Sequence, residues 1–149
     1  MRKAAIRMLL AALACLWMFV AGAVDGAGQE PADAFSLVRA RGQGLVVFTE
    51  HCADCHGRSG RGDGVRIKEL TVRPSDLTRL AERNGWAFPA ATVARVIEGT
   101  DRIHQAGGMP LWGDVFRSDP AVADDVAVKQ RIQALTLYLE FIQTHRPRW

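Results

Sequence analysis

The chain has 149 residues, with 19 Lys or Arg against 16 Asp or Glu and a formal charge of +3. Arg2, Lys3 and Arg7 account for the whole surplus, so the residues after position 23 carry 16 charges of each sign and no net charge. That balance excludes the basic footprint of a nucleic-acid binder, and the length has room for one domain.

The three early cations are followed by an apolar run from Met8 to Val24, with Ala21-Gly22-Ala23 as a small-residue cleavage site. Residues 1–23 are therefore expected to be a secretory signal peptide, which places the mature protein in the periplasm. The run is close to the length of a membrane span, and the competing reading is an uncleaved N-terminal anchor. Cys15 lies inside this segment, so cleavage leaves Cys52 and Cys55 as the only cysteines.

Residues 24–33 are small and polar and form a short tether, and a domain over 34–146 follows. Asp33 is expected to cap a helix over about 34–50, in which Phe35, Val38, Leu45 and Phe48 recur at helical spacing. Gly42 and Gly44 lie on or beside that stripe and weaken the helix, so they are expected to admit the close approach of another backbone. Residues 57–64 read GRSGRGDG, a polar glycine-rich loop. A short helix is expected from Ser75 to Asn84, and another over 90–98 that turns Val93, Val96 and Ile97 inward and stops at Gly99. A loop from Thr100 to Phe116 contains GGMPLWGD. Asp119 and Pro120 then open a long last helix over about 120–144, with Val122, Val126, Ile132, Leu135, Tyr138, Leu139 and Ile142 on one face. No alternating strand pattern occurs. The expected fold is all-α, with loops long enough to need something large at its centre.

Within this framework, residues 52–56 read CADCH. Two cysteines three apart reach the two vinyl groups of one porphyrin, and a histidine directly after them falls under the iron. This C-x-x-C-H run is the signature of haem c attachment, with His56 as the proximal ligand. A redox-active cysteine pair needs a strand before it and a helix starting at the first cysteine, which is the reverse of the order here. A zinc site lacks a second Cys/His pair. Met109 is the only methionine after the signal segment and sits in a glycine-rich turn before Pro110, so it is the expected sixth ligand, a thioether that raises the potential. His104, in the same loop, is its competitor. His51 is expected to point away to the surface, and His145 to lie at the solvated end of the last helix.

The chain resembles the class I cytochrome c family, specifically the small bacterial monohaem type, over about residues 40–142. The resemblance rests on GLVVF before the haem motif, CADCHG followed by GRGDG, RPSDLT, and MPLWGDVF before a helix containing LTLYL. It implies crossing N- and C-terminal helices, with Gly44 and Phe48 meeting Tyr138. Pro74 resembles the proline whose carbonyl accepts the proximal imidazole N–H, beside the plainer reading of a turn before Ser75. Trp112 looks like the aromatic packed near the methionine loop, and Trp86 and Arg73 are weaker candidates to contact the haem carboxylates, beside the plainer readings of core packing and a solvated charge. The implied function is periplasmic one-electron transfer between redox partner proteins, with one haem c on Cys52 and Cys55 and no enzymatic turnover. The alternatives are a haem c subunit of a larger dehydrogenase or oxidase, or a ligand-binding sensor or peroxidase-like protein. Residues 65–73, VRIKELTVR, offer cations for docking an acidic partner, or plain solvation.

Overall fold

The first helix, α1 (Glu30–His51), begins before Asp33, the residue expected to cap it. Pro31 sits in its opening turn, where a missing N–H removes no helical hydrogen bond. The computed structural model describes residues 30–101, 108–122 and 124–145. By compactness the chain divides into residues 1–36 and 37–149. Of the first unit only residues 30–36, the opening of α1, are described. The expected signal segment lies outside the described residues, among which no helix is long and apolar enough to cross a membrane.

In the second unit, α1 is followed by α2 (Ala53–His56), α3 (Leu80–Arg83), α4 (Ala90–Glu98), α5 (Trp112–Ser118) and α6 (Asp125–Phe141). Single 3-10 turns occupy Ile67–Glu69 and Leu77–Arg79. No strand occurs among the described residues, and the fold is all-α. The expected helix over 75–84 is thus a 3-10 turn running into one α-helical turn. Asp76 causes the tight start, because its Oδ1 accepts both the backbone N–H and the hydroxyl of Thr78, at 2.9 and 2.6 Å.

On α1 the inward face is Gly44, Val47 and Phe48, while Val38 and Leu45 are exposed. Steps of three and four from Phe48 lead to Gly44, whereas Leu45 lies about 60° and Val38 about 80° around the helix from Phe48. Phe35, the first residue of the expected stripe, is also exposed. A glycine at 44 is obligatory, because a Cβ there would lie 2.0 Å from the Ala134 carbonyl oxygen and 2.7 Å from Tyr138 Cβ. Here α1 and α6 cross backbone to backbone, and the Phe48 and Tyr138 rings meet one turn away at 5.2 Å.

Helix α6 starts at Asp125 rather than at 120. Asp119 spends its carboxylate elsewhere, accepting the Ala121 N–H at 2.9 Å and the Arg131 guanidinium at 2.9 Å. Asp124 is the true cap, accepting the Ala127 N–H at 2.9 Å. The buried stripe is Val128, Ile132, Leu135, Tyr138 and Leu139, and Val126, expected on it, is exposed. The far end of α6 is pinned by buried Gln143, which no periodicity marks. Its Oε1 accepts the Ala81 N–H at 2.9 Å and its amide donates to the Leu77 and Leu139 carbonyls at 2.7 and 2.6 Å.

Two glycines two residues apart on α1 are expected to respond with opposite signs. Gly44→Ala forces the helices apart and lowers stability by about 2 kcal/mol or more, overpacking outweighing the propensity gain. Gly42 has nothing within 4 Å of an added Cβ, so Gly42→Ala raises stability by about 0.5–1 kcal/mol. Chemical denaturation of both variants beside the parent chain checks the pair.

Candidate functional site

The helical pitch continues through the CADCH turn. The Cys52 N–H reaches the Phe48 carbonyl at 2.9 Å and the His56 N–H reaches that of Cys52 at 2.8 Å. Cys52, Cys55 and His56 therefore share the inward side of one turn, and all three line the same cavity. Both thiols are free, Cys52 buried and Cys55 partly exposed. Burial, and then the charge of Cys55, pushes the Cys52 thiol up to about 12. It stays protonated at neutral pH, the opposite of an activated redox thiolate.

The glycine-rich loop folds back over this turn as a strap. Gly62, Gly64 and Arg66 donate backbone N–H groups to the carbonyls of His56, Cys55 and Asp54, at 2.8, 3.3 and 2.9 Å. On its other side the strap holds the next segment, with the Leu77 N–H on the Gly60 carbonyl at 2.6 Å. Gly62 has φ +73°, and a Cβ on it would lie 2.2 Å from the Pro74 carbonyl oxygen. The loop thus sets the distance between the CADCH turn and Pro74–Ser75.

That distance orients His56. Its Nδ1 lies 3.2 Å from the Ser75 carbonyl oxygen. A carbonyl only accepts, so Nδ1 carries the proton and Nε2 keeps the lone pair that a metal needs. The resemblance assigned the accepting carbonyl to Pro74. The structure gives Ser75, one residue on, because the Pro74 carbonyl is packed against Gly62. Pro74 itself lines the cavity.

Met109 and Trp112 form another part of the lining, with Gly108 and Pro110. The expected loop from Thr100 to Phe116 is interrupted, because Trp112 opens α5, a helix fixed by packing rather than propensity. Phe116 is fully buried, and Gly113 lies so close to α4 that a Cβ would be 2.6 Å from the Glu98 carbonyl oxygen. Phe48, Leu80, Val93, Ile97, Leu135 and Leu139 complete an apolar wall around a volume of about 380 Å³, within the range of about 300–1,000 Å³ for ligand and cofactor sites. Arg73 also lines it, whereas Trp86 does not and stands exposed. His145 is exposed, and His104 lies outside the described residues.

His51 departs from expectation. It lines the cavity, with its ring 5.3 Å from that of Trp112 and 5.4 Å from that of Phe116. The signal was present in the sequence: His51 follows Val47 and Phe48 by four and three residues, on the face that α1 buries.

The donor set fits a covalently held porphyrin. Two thiols three residues apart, an imidazole with a fixed tautomer and one thioether border a single apolar space. No family model, curated protein or solved structure matches the chain.

Gly62→Ala is expected to push Pro74–Ser75 away from His56 and to lower stability by about 1–3 kcal/mol. The His56 Nδ1 proton then exchanges faster with water, which ring-proton NMR reads directly.

Proposed function

We propose that the chain is a one-electron carrier of the periplasm that holds one haem c in a class I cytochrome c-like fold, after removal of residues 1–23. A single observation carries this reading: Cys52, Cys55, His56 and Met109 all line one apolar cavity. Bound there, haem c supplies a ferric/ferrous couple that takes up and returns one electron. Cys52 and Cys55 would hold it through thioethers, and His56 and Met109 would supply the imidazole nitrogen and the thioether sulfur to its iron. The Ser75 carbonyl keeps the proton on Nδ1, which orients the imidazole and raises its basicity as a ligand. Leu135, Leu139, Val93 and Ile97 exclude water, which keeps the local dielectric low. The low dielectric and the thioether of Met109 both act on the potential. Pro74 and Trp112, which also line the cavity, would pack against the haem. The partners are redox proteins that deliver and remove single electrons, and no residue is assigned to acid, base or nucleophilic chemistry.

Haem should remain on the chain through denaturing electrophoresis, and Cys52→Ala with Cys55→Ala should remove it. The visible spectrum of the ferric protein should be low-spin with the weak far-red sulfur-to-iron band. Met109→Ala should abolish that band, admit cyanide or carbon monoxide, and lower the potential by about 0.1 V or more, within the range of about 0.8 V that axial ligands span. A parent protein that is already high-spin and binds carbon monoxide readily defeats the carrier reading in favour of a sensor or peroxidase. A bis-histidine spectrum lost in His104→Ala keeps electron transfer and moves the sixth ligand to His104.

A further inference from the structure

Helix α1 packs on the domain through Gly44, Val47 and Phe48, so its opposite side faces solvent and is polar in an ordinary surface helix. Here it is apolar. Val46 lies about 160° and Val38 about 80° around the helix from Phe48, and they are 54% and 65% exposed. Leu45, at the edge of this face, is also exposed. Between them, about 120° from Phe48, stands Gly42, with nothing within 4 Å of an added Cβ. A glycine inside a helix costs stability. Gly44 offsets that cost by admitting the backbone of α6, whereas nothing among the described residues gives Gly42 such a use.

The charges on the same face indicate what covers it. Of the two arginines of α1, Arg41 lies 5.1 Å over the Phe141 ring. Arg39, about 180° from Phe48, is exposed and makes no ion pair among the described residues. Glu50 lies about 20° around the helix from Arg39 and its side chain is 62% exposed. About 16 Å of helix separates the two, so they do not meet within one chain. Two antiparallel copies of α1, related by a two-fold axis level with Gly44, bring them together. Arg39 of each copy is then level with Glu50 of the other to within one residue's rise, about 1.5 Å, on the same edge of the seam. Val46 of each copy sits on Gly42 of the other, and the two Leu45 side chains meet on the opposite edge. A parallel pairing sets Arg39 against Arg39, which repels. The residues after position 23 carry no net charge, so two copies approach without overall repulsion.

We infer that this outer face of α1 is the contact of a homodimer in which two copies cross antiparallel, Val46 on Gly42 and Arg39 on Glu50. The same surface serves both copies, as a two-fold contact requires. It lies on the other side of the helix from Phe48 and Cys52, which border the cavity. One pair of helices buries less than the roughly 1,200–2,000 Å² of a stable complex, so the dimer is weak and exchanges with monomer between about 1 µM and 1 mM.

Sedimentation equilibrium of the purified full chain over that range, with a thiol reductant present, tests the inference. The mass should rise from one chain toward two. By symmetry, Arg39→Glu and Glu50→Arg each turn two attractions into two repulsions, and each should weaken association about tenfold. An equimolar mixture of the two variants should associate again, because both cross pairs then have opposite charges. Gly42→Ala should weaken association about tenfold or more, its methyl group standing where Val46 of the other copy packs, although it stabilises the monomer. A chain that is monomeric to about 1 mM overturns the inference, and so does a dimer indifferent to Arg39→Glu, Glu50→Arg and Gly42→Ala. A monomer that floats with phosphatidylglycerol vesicles and is released by Val46→Glu also overturns it, and assigns the face to a bilayer.

Discussion

The hydrogen bond from His56 Nδ1 to the Ser75 carbonyl, 3.2 Å long, is the contact around which the site is arranged. It spans nineteen residues, and the chain between them is built to hold that carbonyl in place. The strap of Gly57–Gly64 is bonded to the CADCH turn on one side and to the Leu77 N–H on the other. Its glycines are compact for that reason: a Cβ on Gly64 would lie 2.2 Å from the Asp54 carbonyl, as one on Gly62 would from that of Pro74. Residues that look like a flexible loop in composition are therefore a spacer of fixed thickness. Its thickness decides which nitrogen of His56 carries the proton.

A second constraint is the cavity itself. Side chains that border a space of about 380 Å³ make fewer packing contacts than those in a filled core. A whole domain is stable by only about 5–15 kcal/mol. The side chains that surround the space, Phe48, Val93, Ile97, Leu135 and Leu139 among them, are also the main core residues. The rest of that core, with Val47, Phe116, Val128, Ile132 and Tyr138, packs away from the space. The wall of the site and the core of the fold thus share one cluster of side chains, and α1 and α6 cross backbone to backbone beside it at Gly44.

Sequence reasoning succeeded where one local rule governed. Helix α4 has the bounds read from Val93, Val96, Ile97 and the stop at Gly99, and its last N–H is satisfied on Arg95 with Gly99 left-handed at φ +94°. Gly44 was legible as a close approach because a glycine in a helix needs a reason. Cys52, Cys55, His56 and Met109 all line the cavity. The failures share a cause, competition between two partners for one group. Asp119 and Asp124 are both good caps, and the contest was settled by Arg131, twelve residues from Asp119. Helix α5 contains Gly113 and has poor propensity, and it forms because Phe116 and Gly113 pack against other elements. Gln143 replaces backbone partners for Ala81, Leu77 and Leu139, a role that leaves no trace in hydrophobic period. His51 was assigned by its neighbour in sequence when its neighbours three and four residues back decided its direction.

The parts of the cavity that carry His56 and Met109 are held by different means. His56 is fixed by hydrogen bonds made within a stretch of about twenty residues, nearly all of them backbone groups that a side-chain change leaves alone. Met109 depends on packing. Leu111 lies against Gly99, where a Cβ would meet its side chain at 2.7 Å, and Gly113 lies against Glu98, so the Met109 turn hangs from the end of α4. Packing contacts relax by small shifts, whereas a strap of short hydrogen bonds moves as a unit or breaks. Adjustment of this site is therefore concentrated on the Met109 side, where Trp112 also carries the ring contact to His51.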